Sequence, residues 1–137
     1  MHRLAALILA SVVAFAGASS LQSTAAARCA VVMLPEEVQR SLFVVEAELE
    51  RAGDRAEFRT LTVWKGGAAA PARFMLGAQQ GRGRWPWADS ANEGHRYLLF
   101  LTSVPSGFTV ARCGQSAEAS EGRHAALRAQ GLTPTPR

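Results

Sequence analysis

The sequence predicts a mainly β fold: a single five-stranded barrel entered by a short N-terminal helical turn and followed by a C-terminal helix. Three features predict it. Residues 42–50 alternate apolar and polar side chains with a period of two, and residues 96–101 are apolar on both faces. Segments of this kind recur along the 137-residue chain, separated by Gly-, Pro- and Asp-containing turns.

Met1, His2 and Arg3 precede an apolar run over residues 4–16 that holds no ionisable group. This is the core of a signal peptide, too short to span a bilayer, so no stable membrane span is expected after cleavage. Small residues place the cut after Ala18, with Ala27 as the alternative end. Residues 1–18 are therefore read as the signal peptide, 19–28 as a flexible leader, 29–131 as one domain and 132–137 as a disordered tail. The protein is expected to work in the periplasm or outside the cell.

Within the domain, Pro35 suits the first turn of a short helix over residues 34–40, where Glu36 and Glu37 meet the positive end of its dipole. On the first strand Phe43, Val45, Ala47 and Leu49 share one face, while Glu46, Glu48 and Glu50 share the other. The glutamates are expected to form a solvated outer face, the alternative being an acidic docking surface. Residues 51–55 turn the chain into a returning strand over 56–65. Its apolar parity changes between Phe58 and Leu61, which predicts a β-bulge near Thr60. A Gly- and Ala-rich connection leads to a third strand over 72–76, then to a loop over 77–95 expected to lack regular structure and, for that length, to be functional. Residues 96–101 form a central strand covered on both sides, and Pro105, Ser106 and Gly107 turn it into a fifth strand over 108–113. Ser120 caps the final helix, and Gly131 stops it.

Charge and cysteine content narrow the function classes. The chain carries 15 Lys and Arg against 11 Asp and Glu, with Lys65 the only lysine, and its charges are dispersed. Without a basic stripe, no nucleic-acid partner is expected. Two cysteines in an exported chain, Cys29 and Cys113, point to a disulfide, worth about 4 to 5 kcal/mol in the chain-entropy picture.

The most suggestive stretch is residues 79–87, where Arg82, Arg84, Trp85 and Trp87 alternate cationic and aromatic groups. Such groups stack on sugars and grip anions; alternatively the tryptophans cap an open barrel end while the arginines are solvated. Asp89, Ser90 and His95 are neighbours in sequence but have no nucleophile-elbow context, so no catalytic residue is expected. His95 and His124 are too few and too scattered for a metal, and no cofactor is expected.

Five strands and a terminal helix suit an OB-like barrel. Three segments in order, Val63-Trp64-Lys65-Gly66, then Gly94-His95-Arg96-Tyr97-Leu98-Leu99-Phe100, then Arg112-Cys113, resemble the netrin-like domains related to tissue inhibitors of metalloproteinases, the bacterial members above all. The resemblance covers about residues 29–130. It implies an OB-like fold in which Cys29–Cys113 ties the N-terminal segment to the end of the fifth strand. Family members commonly open with Cys-x-Cys and carry a further Cys before the Gly-x-x-Tyr-Leu strand, and this chain has neither. In the inhibitors the first Cys is the mature N-terminus and its amine chelates the protease zinc, whereas neither cleavage site expected here frees the amine of Cys29. The expectation is an exported, non-enzymatic, monomeric binding module for a protein or an envelope glycan. A metalloproteinase inhibitor, with a metalloprotease as partner, is the alternative, and a hydrolase comes third.

Overall fold

The computed structural model describes residues 29–80 and 83–137. The signal peptide and leader expected over residues 1–28 lie outside the described residues. Helix α1 (Leu34–Arg40) starts with Pro35 in its first turn and ends where Ser41 Oγ donates to Glu37 O at 2.7 Å. Lys65 Nζ caps it, donating to the carbonyls of Val38 and Ser41, so the lone lysine anchors a helix end.

Strands β1 (Phe43–Arg51) and β2 (Arg55–Lys65) form an antiparallel hairpin. Opposite Glu46 and Ala47 stand Thr62 and Thr60, leaving Leu61 as the extra residue. This is the bulge the parity change at Thr60 required, and it lets Phe58 and Val63 enter the same core. Strand β3 (Arg73–Gly77) pairs β2, β6 (Arg96–Val104) pairs β1, and β7 (Gly107–Val110) pairs β6. The strand order β3-β2-β1-β6-β7, all neighbours antiparallel, curls into a nearly closed barrel.

Two cores result. The interior gathers Phe43, Val45, Leu49, Phe58, Trp87, Tyr97 and Leu99. Outside the sheet, α2 (Glu121–Ala129), capped by Ser120, seats Leu127 on Val44, Trp64, Leu98 and Phe100. Strand β6 is thus covered on both faces, as its apolar residues on both sides demand.

Four expectations are corrected. The fifth strand stops at Val110, and Cys113 sits in the turn that follows, still bonded to Cys29 with a Cα–Cα distance of 5.6 Å. Residues 77–80 and 83–95 are not irregular: they hold the paired strands β4 (Gln79–Gln80) and β5 (Gly83–Arg84) and two 3-10 turns, Pro86–Ala88 and Ser90–Asn92. In place of a disordered tail, β9 (Thr135–Pro136) pairs with Thr62 and Val63 of β2, and Arg137 N donates to Leu61 O at 2.9 Å. The bulge exposes backbone that the tail satisfies. Finally, the glutamate face of β1 is not freely solvated. Glu46 is buried, and Glu48 and Glu50 are paired with Arg59.

Candidate functional site

The stretch expected to make contacts is built onto the barrel end by backbone bonds. Ala78 N donates to Asp54 O at 2.9 Å, Trp85 N to Ala78 O at 2.8 Å, and Gly53 N to Trp87 O at 3.2 Å. These bonds aim the two indoles differently. Trp87 is 1% exposed, meets Phe58 and Tyr97 edge-on at 5.7 Å each, and donates Nε1–H to Gly77 O at 3.0 Å. It is a core anchor plugging the barrel, with no surface left for a ligand, so it leaves the expected contact set.

Trp85 stacks on Trp87 with centroids 4.6 Å apart and planes within 10°. It is half-buried, and its free surface opens on two hollows. One, of about 310 Å³, is lined by Asp54, Leu76, Gln80, Trp85, Val110 and Arg112. The other, shallower and about 530 Å³, is lined by Arg84, Trp85, Pro86, Asp89, Ser90 and Asn92. Arg84 is exposed, pairs with Asp54 Oδ1 at 2.6 Å and lines the shallower hollow with Trp85. Arg82 lies outside the described residues.

The residues that suggested hydrolysis are employed elsewhere. Asp89 Oδ1 accepts from Ala91 N at 2.9 Å, capping a 3-10 turn, while His95 Nδ1 lies 3.5 Å from Glu118 of β8 (Ala117–Glu118). No group of three or more His, Cys, Asp or Glu side chains gathers to hold a metal among the described residues. Among the same residues no helix is long and apolar enough to cross a membrane.

Two polar clusters escape a reading of the sequence by spacing. In one, His124 of α2 contacts Glu46 of β1 and lies over Trp64 at 5.3 Å, with the Arg128 guanidinium 5.7 Å from the same indole. In the other, the buried Glu37 carboxylate accepts from Gln115 N, while its Oε1 has no hydrogen-bond partner. Burial pushes the Glu37 carboxyl above its ordinary value, opposed by the bond from Gln115 and the charge of Arg40. Neither had a signal in the sequence, since Glu37 sits among Glu36, Gln39 and Arg40 and Glu46 falls on the polar face of β1.

Compared with known proteins, the chain matches no family model and no curated protein.

Proposed function

We propose that the protein is an exported, non-enzymatic binding module of the netrin-like type, whose contact surface centres on Trp85 and Arg84 and takes a protein or an envelope glycan. One observation carries the site. Trp85 is a half-buried indole stacked on Trp87 between two hollows, one of which it lines together with the cationic Arg84. A rigid aromatic presents area at little entropic cost, which is why such residues dominate binding energy. The netrin-like reading is supported by the nearly closed five-stranded sheet and the Cys29–Cys113 bond, which joins the segment before α1 to the turn after β7.

The test pairs two substitutions. Trp85→Ala together with Arg84→Ala is expected to abolish binding on a glycan array or to envelope proteins while leaving circular dichroism native. Trp87→Ala, in contrast, removes a plugged core side chain and costs about 3–5 kcal/mol of stability. Binding unchanged by loss of Trp85 and Arg84 sinks this site.

The metalloproteinase-inhibitor reading has one favourable observation: Val31 and Met33, just beyond Cys29, are 70% and 65% exposed. It demands that intact-mass analysis find Cys29 as the first residue of the secreted protein.

A further inference from the structure

The barrel closes between β3 and β7 without a hydrogen-bonded ladder, since the chain of paired strands ends at these two. Both run in the same direction, because each is reached from β1 through two antiparallel pairings. Phe74 meets Phe108 across the seam with ring centroids 6.3 Å apart, so side chains and not a third strand close it. Thr60 N bonds Ala72 O and Ala78 N bonds Asp54 O, so Phe74 and Leu76 turn their amides to β2 while Arg73 and Met75 turn theirs to the seam. On the other side Leu101 O accepts from Leu42 N, away from its partner Val110, so Phe108 and Val110 also present their backbone to the seam.

Two hollows follow one another along this line. The first, about 510 Å³, lies over the start of both strands, with Arg55, Met75 and Phe108 in its walls. The second, about 310 Å³, continues past their ends to Trp85 and Arg112. Carboxylates in these walls already hold arginines: Glu50 holds Arg59 and Arg73, Glu57 holds Arg51, and Asp54 holds Arg84. Arg55 and Arg112 have no carboxylate partner among the described residues, and both are exposed. The groove therefore joins two adjoining hollows, an apolar side chain at Met75, which is 40% exposed, and two uncompensated cations.

We infer that the two hollows over this seam receive an acidic segment of a partner polypeptide, its carboxylates on Arg55 and Arg112 and its apolar side chains on Met75 and Trp85. The inference rests on the binding-module reading and names its partner. Apolar side chains seated in the two hollows supply affinity, and the few polar groups around them supply choice. The leftover positive charge selects the acidic segment over a basic one.

The experiment uses an immobilised library of decapeptides alternating Glu or Asp with Val, Leu or Tyr, and its counterpart with Lys or Arg as the charged residue. Full-length protein is expected to favour the acidic library by at least tenfold, and the preference is expected to vanish in the Arg55→Glu, Arg112→Glu double variant. Both positions are exposed, so folding survives, as circular dichroism will check. No acidic preference in the wild type, or a preference that outlives the charge reversal, overturns the inference. Glycan binding lost on Trp85→Ala but untouched by the reversal also overturns it, yet leaves the binding-module reading standing.

Discussion

His124 Nε2 lies 2.7 Å from Glu46 Oε2, and this contact joins helix α2 to the outer face of β1. The two are close without an aligned hydrogen bond, because the ring N–H does not point at the carboxylate oxygen. Both side chains are largely withdrawn from water, 19% and 10% exposed, so screening is weak. Glu121 also approaches His124, at 3.6 Å, and Trp64 supports the ring from below. Removing His124 leaves a carboxylate under the helix without its neighbour. His124→Ala is expected to lower stability by about 1–3 kcal/mol in urea unfolding. Glu46→Leu with His124→Leu should cost less than the two single changes added together, and strict additivity would show that the contact contributes nothing.

That contact marks the boundary of what the sequence discloses. Strand β1 was legible because Phe43, Val45, Ala47 and Leu49 alternate, and the bulge at Leu61 because parity changes around Thr60. Both α1 and α2 were legible from Pro35, Ser120 and Gly131, whose local chemistry needs no distant partner. The burial of Glu46 and Glu37 was not, since it depends on His124 and Gln115, which are 78 residues apart in both cases. The pairing of β4 and β5 was missed for a related reason: Gln79, Gln80, Gly83 and Arg84 have no apolar alternation, and the fixing bonds come from Asp54 and Ala78. Of the contact stretch, the aromatic pair was visible but its division of labour was not, because only the position of Gly77 O and Phe58 decides which indole is buried.

Reduction of Cys29–Cys113 should destabilise the domain severely. The bond spans 84 residues, and Val32 N donates to Cys113 O at 3.1 Å beside it, so the covalent link and the backbone hold the same junction. Closing a loop of that length is worth about 4–5 kcal/mol at most. Cys29→Ser with Cys113→Ser is expected to move the urea midpoint down by a corresponding amount, and native protein should show no titratable thiol. A midpoint unmoved by the double change would mean that the N-terminal segment contributes no constraint.

Glu37 gives the protein a distinctive acid-side signature. Its folded pKa is raised above the ordinary value of 4.5, chiefly by burial, so the folded state binds a proton that the unfolded chain releases. The sign follows: its contribution is fully favourable below the unfolded pKa and is lost as pH rises through the folded one. Glu37→Gln keeps an oxygen for Gln115 N and cannot ionise. Relative to this variant, wild-type stability should therefore fall as pH climbs from the ordinary value of 4.5 through the raised folded one, measured by urea unfolding at half-unit steps. Parallel curves for the two proteins would show that the carboxyl is as well solvated folded as unfolded.

The same carboxylate explains why residue 114 carries no side chain. A Cβ there would run into the Glu37 carboxyl group, while the Gly114 backbone itself is not in the left-handed region. The obstacle is thus steric and removable, unlike at Gly66, where φ is +105° and any side chain is also strained. Gly114→Ala is expected to cost about 1–3 kcal/mol, since the buried carboxylate must abandon Gln115 N to make room. In a Glu37→Ala background the space is empty, and adding Gly114→Ala should cost almost nothing further. The two changes must then be strongly non-additive. Independent, additive costs would show that the 114 turn is held by its own conformation, and that Glu37 has no part in seating the segment that carries Cys113.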